Sequence, residues 1–312
     1  MLHQASGQWK LGLMMAMVTA GCWATLPLVL KMSLVVLDPM TLTWFRFLFA
    51  AIFMVFWLGA KKQLGAYRLL DKKRWLLMSL AALLLIGNYV GYILGVQFTS
   101  PSNAQLLIQM APLLMALGGI FIFKEQYARG QWLGLGIIVI GLLLFFSDQF
   151  GNQFISKQHY LLGVLSLFLA AVSWAGYALL QKQLLMKLPS QHILGFIYLL
   201  AALVLWPFAK PSSLLPLDAM HWALLLFCCI NTLVAYGAFA EALVHWQASR
   251  VSAVLAMTPL LCLLAVSVAH SVWPQYIAPE HVTLLGIFGA LLVVAGSALS
   301  SLLGQADKPK EL

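Results

Sequence analysis

The stretch NYVGYILGVQFTSPSNAQLLIQMAP, residues 88–112, joins two apolar runs through a short polar link at residues 99–103. A looser copy of this stretch follows 147 residues later. The matching positions are Tyr89 and Tyr236, Gly91 and Ala238, Gly95 and Ala242, Ser102 and Ser249, and Pro112 and Pro259. An aromatic residue, a row of small residues and a proline that recur in the same order indicate a duplicated unit. Duplication inside a membrane protein usually places a binding site between the copies.

The composition of the whole chain requires a lipid environment. Of the 312 residues, 62% are hydrophobic and 9% are charged, whereas soluble domains carry about a quarter charged residues. The net charge of +9 does not indicate nucleic-acid binding, because the basic residues lie in links between apolar runs, where they orient membrane proteins. All four cysteines lie inside apolar runs, so no disulfide framework is expected. We predict an all-α integral membrane protein without a metal or cofactor.

A membrane helix needs about 20 mostly apolar residues, and ten runs meet this requirement. The predicted spans are residues 11–30, 41–59, 75–97, 103–123, 131–147, 160–180, 192–209, 221–244, 251–272 and 282–303. If both termini lie on one side, fourteen Lys and Arg residues fall on that side and three, Lys31, Lys157 and Lys210, fall on the other. Because basic residues accumulate in cytoplasmic links, the sequence predicts a multi-pass inner (plasma) membrane protein with both termini in the cytoplasm.

The repeat also predicts how the spans are arranged. Trp23 and Lys31 recur 151 residues later as Trp174 and Lys182, and the pair Gly134 and Gly141 recurs 155 residues later as Gly289 and Gly296. Each copy therefore has five spans, and because five is odd, the two copies cross the membrane in opposite directions. The predicted organisation is a first repeat at residues 1–147, a periplasmic linker at 148–159, a second repeat at 160–303, and a disordered cytoplasmic tail at 304–312.

Ten spans in two inverted halves resemble the drug/metabolite transporter superfamily, in particular its EamA branch. The motifs that carry the resemblance are Ala111-Pro112-Leu113 in span 4, its counterpart Thr258-Pro259-Leu260 in span 9, Phe123-Lys124-Glu125 after span 4, and Gly134 with Gly141 in span 5. The resemblance implies a central cavity lined by spans 1, 3, 4, 6, 8 and 9. One departure is that no glutamate directly follows span 9, where the nearest acid is Glu280, so the outer end of the second half is expected to differ.

Aromatic and amide side chains inside the spans are candidates for substrate binding. The expected aromatic walls of a cavity are Trp23, Tyr89, Tyr92, Trp174, Tyr177 and Tyr236, which offer stacking and cation–π contacts. The expected polar contacts are Asn88, Gln109 and Asn231, because amides orient a solute without the cost of burying a charge. The alternatives are plain packing for the aromatic residues and helix-to-helix hydrogen bonds for the amides. Asn103 and Gln105 are expected at the outer boundary.

Charged residues and prolines within the spans give a second group of candidates. Glu241 is the acid that falls within an apolar run, where a carboxylate is costly unless it is paired or protonated. It is a candidate for proton coupling or for holding a substrate ammonium group, and the alternative is an interfacial acid paired with Arg250 or His245. Pro112 and Pro259 are expected to break their helices beside the cavity. Arg46 and Lys31 are expected to extend to the interface as anchors, and the alternative is a role in drawing in an anionic solute.

The sequence offers little for enzyme chemistry, because no Asp lies within a span and no known catalytic motif is present. The leading hypothesis is a secondary transporter that exports an amino acid or a similar amphipathic metabolite by alternating access. Its partners would be a small-molecule substrate, the bilayer and protons as a candidate coupling ion, with no nucleic acid, in a monomer or homodimer. The alternative is a non-transporting membrane scaffold or a lipid-handling protein.

Overall fold

The computed structural model describes residues 8–111, 113–114, 117–118, 127–152, 157–184, 188–246, 248–277, 279–280 and 282–303. These residues form α-helices and short 3₁₀ turns, with no β-strand among them. The α-helices are α1 Trp9–Ser33, α2 Pro39–Ala60, α3 Lys72–Phe98, α4 Pro101–Leu107, α5 Arg129–Asn152, α6 Lys157–Leu184, α7 Ser190–Leu205, α8 Ala219–His245, α9 Ala248–Leu255, α10 Thr258–Val272 and α11 Leu284–Leu302. We call α1–α5 the first half and α6–α11 the second half.

The described helices account for most of the predicted spans. Seven helical stretches are long and apolar enough to cross a membrane, and the apolar parts of α5 and α11 are shorter. The fourth predicted span, 103–123, is represented by α4 and a few further residues, while the rest of it, including Pro112, lies outside the described residues. The all-helical membrane fold is therefore confirmed, whereas ten spans and an inverted repeat stay predictions.

The boundary between the two halves differs from the prediction. The predicted linker at 148–159 is helical at both ends, because α5 continues to Asn152 and α6 begins at Lys157. Polar residues such as Asp148 and Gln149 fall outside an apolar run but do not stop a helix, since no proline follows them before Asn152. The predicted tail at 304–312 lies outside the described residues.

Several helices begin at a polar residue that caps the first turn. The Asp38 carboxylate accepts hydrogen bonds from the backbone N–H groups of Met40 and Thr41, at 3.1 and 3.0 Å. Asp71 and Asp218 cap α3 and α8 in the same way. A carboxylate at this position satisfies free N–H groups and faces the positive end of the helix dipole. These three acids are thereby held at helix ends and not in the bundle interior.

Ten of the eleven described α-helices pair with a helix of the other half. The pairs are α1 with α8, α2 with α7, α3 with α6, α4 with α10, and α5 with α11. In the last pair, a Cβ atom on Gly141 would lie 2.6 Å from the Gly289 carbonyl oxygen, and one on Gly134 would lie 2.7 Å from the Gly296 oxygen. Backbone therefore meets backbone at these crossings, as is typical of small residues in membrane helices.

The contacts also show in which direction the helices run. Gly134 opposes Gly296 while Gly141 opposes Gly289, so α5 and α11 are antiparallel. By the same criterion α6 runs antiparallel to α3, because Gly87 faces Ser173 and Gly163, earlier in α6, faces Thr99 after the end of α3. The C-terminal ends of α1 and α3 lie together, since the Lys31 ammonium group bonds to the end of α3. It follows that α1 and α6 run in opposite directions.

Candidate functional site

A charged side chain lies in the interior where α2 meets α8. The Arg46 residue is 4% exposed, and its Nε and Nη2 atoms donate hydrogen bonds to the Thr232 hydroxyl oxygen at 3.2 and 3.0 Å. The Thr232 hydroxyl in turn donates to the Cys228 carbonyl oxygen at 2.9 Å, so its lone pairs are turned toward the guanidinium group. The predicted interfacial position of Arg46 is wrong. Its side chain points between the helices instead of along the lipid face.

The Tyr89 ring lies against the guanidinium group, and the neighbouring Phe47 ring packs against Tyr89. The Arg46 guanidinium carbon lies 4.9 Å from the centroid of the Tyr89 ring, a distance at which the ring face attracts a cation. The Phe47 ring lies between two tyrosines, with its centroid 4.5 Å from that of Tyr89 and 6.0 Å from that of Tyr198. Consecutive residues of α2 thus place a cation and a ring against α3 and α7.

Two further tyrosine hydroxyls complete this group. Tyr177 and Tyr198 are 2% and 1% exposed, and within the described part of the chain their hydroxyl oxygens have no hydrogen-bond partner. Tyr236 packs against the same hydrophobic core that contains Tyr89, Tyr177 and Tyr198. We call Arg46, Tyr89, Tyr177, Tyr198 and Tyr236 the tyrosine–arginine cluster. Its members come from α2, α3, α6, α7 and α8, so both halves contribute to it.

The cluster carries a positive charge without a described counter-ion. Five acids have described side chains, and each is engaged elsewhere: Asp38, Asp71 and Asp218 cap helices, Glu241 pairs with His245, and Glu280 bonds to Ser102. Among the side chains that the structure describes, no carboxylate therefore pairs with Arg46. The group is suited to binding an anion or a polar solute with an electron-rich end.

The structure brings some predicted aromatic residues to the cluster and leaves others aside. Tyr89, Tyr177 and Tyr236 belong to it, and the Trp23 ring meets the Tyr236 ring edge-on at 5.8 Å. The Tyr92 hydroxyl donates instead to the Gln105 side-chain oxygen at 2.7 Å. Trp174 is partly buried against the main hydrophobic core. Tyr92 and Trp174 are therefore placed near the helix packing but are not seen to join the cluster.

The predicted amides have separate positions. Asn88 donates to the Ala170 carbonyl at 3.0 Å across the α3–α6 contact, which is the helix-to-helix bond expected as the alternative. Asn231 donates to the Cys22 carbonyl at 2.7 Å, and its buried side-chain oxygen has no partner among the described residues. Gln109 lies in the turn after α4 and is partly exposed. Of the three amides, Asn231 is thus the one with an unused acceptor in the interior.

The helix interruption predicted in span 9 lies beside Pro259. The α9 helix ends at Leu255 and α10 begins at Thr258, with Pro259 in its first turn. A proline cannot donate a backbone hydrogen bond and is tolerated in that first turn. Asn103 and Gln105, expected at a boundary, are buried in α4, because α4 packs against α10 instead of facing water.

Glu241 is not placed in the cluster. Its side chain is 54% exposed, and a carboxylate oxygen lies 2.9 Å from Nε2 of His245, one turn along α8. The predicted alternative partner Arg250 has a side chain outside the described residues. The condition for a coupling role, burial among the substrate contacts, is not met in this structure.

Replacing Glu241 with Gln is expected to change the free energy of unfolding by less than about 1 kcal/mol, because exposed ion pairs contribute little. Transport rate and its pH dependence are expected to stay at the wild-type values. Thermal unfolding in detergent and uptake into vesicles at several pH values would measure both. A loss of pH dependence in E241Q would restore the proton-coupling hypothesis.

A second polar contact joins α1 and α3 where these two helices end together. The Lys31 ammonium group donates to the carbonyl oxygens of Val96, Gln97 and Thr99 at 2.9, 2.7 and 2.8 Å. These carbonyls lie at the end of α3, where the helix leaves them unpaired. Lys31 was expected to be an anchor at the interface, and it instead joins two helices. The side chain of its repeat counterpart, Lys182, lies outside the described residues.

Glu280 lies close to Lys31, in the link between α10 and α11. Its carboxylate accepts a hydrogen bond from the Ser102 backbone N–H at 3.3 Å. Burial raises the pKa of the Glu280 carboxyl above its ordinary value, although hydrogen bonds from Ser102 and Ser100 and the positive charge of Lys31 oppose the shift. The acid that the sequence lacks directly after span 9 is thus present in this link and contacts the start of α4.

Because burial favours the neutral carboxyl, the folded protein is expected to bind the Glu280 proton more tightly than the unfolded chain. This contribution to stability is fully present below the unfolded-state pKa and is lost as the pH rises through the folded-state pKa. In Glu280→Gln this pH-dependent part should disappear. Melting temperatures of both proteins between acidic and neutral pH would test it, and parallel curves would contradict it.

Comparison with known proteins agrees with this architecture. The model of the EamA-like transporter family matches the chain twice, at residues 10–147 and 161–302. The chain belongs to the EamA-like transporter family. The resemblance noted in the sequence is thereby confirmed, and the two matches fall on the two halves of the structure.

Individual relatives of this EamA-like chain cover almost its whole length. It is 38% identical over 296 residues to the "Uncharacterized inner membrane transporter YhbE" of Escherichia coli K12, covering 95% of this chain and 92% of that protein. At 22% identity, it matches the "Probable amino-acid metabolite efflux pump" of Salmonella typhimurium over 90% of this chain and 92% of that protein. A crystal structure with 18% identity aligns with a TM-score of 0.66 over 97% of this chain and 99% of the other. This last match supports the fold alone.

Two residues of this site, Tyr198 and Thr232, were not predicted from the sequence. At the spacing of 151 residues that relates Trp23 to Trp174, Tyr198 corresponds to Phe47, but it lies in a run that offers no polar neighbour nearby in sequence. Thr232 follows Asn231 directly, but the sequence does not mark it as a site residue, because single threonines are common in membrane helices. The position of Arg46 could have indicated this site, because a charged residue within an apolar run often has a functional role.

Proposed function

We propose that this EamA-like protein is a secondary transporter that moves a small organic metabolite across the inner membrane by alternating access. The solute is an amino acid or a similar amphipathic metabolite, moved outward, and both chain termini lie in the cytoplasm. The names of the relatives support transport in the inner membrane and, at low identity, efflux of amino-acid metabolites. The proposal goes beyond them in naming the mechanism and the direction for this chain.

The proposal rests on a group of polar residues between the halves. We call Arg46, Thr232, Asn231 and the cluster tyrosines the polar seam. Arg46 and Thr232, Asn231 and the cluster tyrosines lie within a bundle whose other described core residues are mainly apolar. Burying polar groups in a membrane protein is costly, and such residues are usually retained for a solute or ion pathway. A scaffold or lipid-handling protein could build the same bundle with apolar side chains at these positions.

The helix directions support an inverted repeat. A twofold relation between the halves would superpose α1 on α6, α2 on α7, α3 on α8 and α5 on α11. It would convert the contact of α1 with α8 into that of α6 with α3, and it would leave the contacts of α2 with α7 and of α5 with α11 unchanged. The opposite directions of α1 and α6 agree with this relation. Inverted halves around a midplane site allow one bundle to rock against the other and open each side in turn.

Alternating access can be tested on single-cysteine proteins in membrane vesicles. The four native cysteines would be replaced by alanine, and a cysteine would be introduced at Tyr236 in the seam or at Leu226, which is 40% exposed on the same helix. We expect amino acids and related solutes to change the labelling of position 236 from the two sides in opposite directions and to leave position 226 unchanged. Counterflow of the same labelled solutes should saturate. Unchanged labelling together with no counterflow would favour the scaffold.

A further inference from the structure

Resting on the proposed function, we infer that Arg46 binds the carboxylate group of the transported solute, with the Tyr177 and Tyr198 hydroxyls available as additional donors. The solute would therefore be an organic anion or zwitterion. Arg46 would be the residue that distinguishes it from the corresponding neutral or cationic compound. The inference concerns the charge of the solute, which the family and the relatives leave open.

The first reason is the burial of a charge that has no counter-ion among the described side chains. Arginine keeps its proton inside proteins, and moving an isolated cation from water into an apolar interior is costly unless an anion compensates. Arg46 is 4% exposed, and none of the acids with described side chains reaches it. A bound carboxylate would provide the missing negative charge at this position.

The second reason is the geometry of the donors. A guanidinium group has five N–H donors in a planar fork that matches the two oxygens of a carboxylate. The described hydrogen bonds of Arg46 use Nε and Nη2, and both end on the single Thr232 oxygen. An arrangement in which two donors share one hydroxyl leaves most of the hydrogen-bonding capacity of the guanidinium group for a further acceptor.

The third reason is the presence of buried hydroxyls without partners. Tyr198 packs against Phe47, the residue after Arg46, with ring centroids 6.0 Å apart. The hydroxyls of Tyr198 and Tyr177 have no partner among the described residues. A buried hydroxyl without a hydrogen bond destabilises the folded state. Donation to a bound solute would remove this cost.

A purely structural cation is the competing explanation, since the Tyr89 ring lies 4.9 Å from the guanidinium group. A cation–π contact stabilises a cation but leaves its net charge and most of its N–H groups unmatched. It also does not require the Tyr177 and Tyr198 hydroxyls. The two explanations differ in what Arg46 and Tyr198 variants should do to solute binding.

The first test compares carboxylates with their primary amides on the purified full-length protein. The probes are a panel of amino acids, monocarboxylates and dicarboxylates, each paired with its amide, and the readout is the melting temperature over a titration. We expect at least one carboxylate to stabilise the protein while its amide does not. In Arg46→Gln the affinity for that carboxylate should fall at least about tenfold, the size expected for losing one charged hydrogen bond.

Arg129→Gln is the matched control, because Arg129 is exposed at the start of α5. It should bind the carboxylate as the wild type does. Arg46→Lys retains the charge without the planar fork and should show an intermediate affinity, which keeps the test decisive if Arg46→Gln does not fold. Wild-type affinity in Arg46→Gln, or equal stabilisation by carboxylates and amides, would overturn the inference.

Tyr198→Phe separates binding from folding. Removing a hydroxyl that has no partner among the described residues should leave the melting temperature of the ligand-free protein unchanged or higher, while the affinity for the carboxylate falls several-fold. A lower ligand-free melting temperature with unchanged affinity would assign the hydroxyl a structural role and overturn its place in the inference. Saturable counterflow without a preference for carboxylates would reject the inference while retaining the proposed function. Absence of counterflow for every solute would reject both.

Discussion

Replacing Gly141 with alanine is expected to lower the free energy of unfolding by about 1–3 kcal/mol, as overpacked contacts typically do. The added Cβ atom would lie 2.6 Å from the Gly289 carbonyl oxygen and 2.8 Å from the Val293 nitrogen. Both atoms belong to the backbone of α11, so a side-chain rotation cannot relieve the clash. The two helices must separate, which also weakens the neighbouring contact between Gly134 and Gly296. Thermal unfolding of the detergent-solubilised protein would measure the loss.

Gly136→Ala provides the control within the same helix. A Cβ atom at position 136 has no neighbour within 4 Å, and alanine favours a helix over glycine by up to about 1 kcal/mol. This variant should melt at the wild-type temperature or slightly above it. If Gly141→Ala and Gly136→Ala melted alike, the close approach of α5 and α11 would not be present in the folded protein.

Replacing Lys31 with methionine is expected to lower the free energy of unfolding by about 1–3 kcal/mol, because three carbonyls at the end of α3 would lose their shared hydrogen-bond donor. The oxygens of Val96, Gln97 and Thr99 all accept from this one ammonium group. Methionine is similar in length and apolar, so packing changes little and the loss reports mainly on the hydrogen bonds. The nearby Glu280 carboxyl would also lose its closest described cation. The measurement is again thermal unfolding, combined with limited proteolysis of the 99–103 link.

Lys10→Met is the matched control, because Lys10 is exposed at the other end of the same helix. It removes the same charge and adds the same side chain but should change the melting temperature little. Equal melting temperatures of the Lys31 and Lys10 variants would show that the Lys31 contacts do not hold α1 to α3.

The sequence was sufficient for the membrane class, the approximate helix positions and part of the cluster. Tyr89 and Tyr236 recur in the duplicated stretch, and Tyr177 is predicted because it lies inside an apolar run near polar groups that the repeat relates. These inferences depend on periodicity along the chain, which the sequence contains. The EamA resemblance, based on the prolines and on Gly134 and Gly141, was confirmed by the family match.

The positions of the charged side chains could not be predicted in the same way. An arginine or a lysine near the end of an apolar run can extend to the interface or turn inward, and the choice depends on which partner lies across the helix contact. For Arg46 that partner is Thr232, 186 residues away, and for Lys31 it is the end of α3, more than 60 residues away. Sequence spacing within one span contains no information about either contact.

The glycine crossings of α5 and α11 have a mechanical consequence for any movement of the halves. At Gly134, Gly141, Gly289 and Gly296 the backbones of the two helices meet, and side chains such as those of Leu144 and Val293 lie beside these points. These glycines project no side chain into the opposite helix, so they do not obstruct sliding of α5 along α11. A larger residue at the same positions would clash with the opposite backbone. Under the proposed alternating-access mechanism, this contact would let α5 and α11 shift lengthwise while their backbones stay in contact.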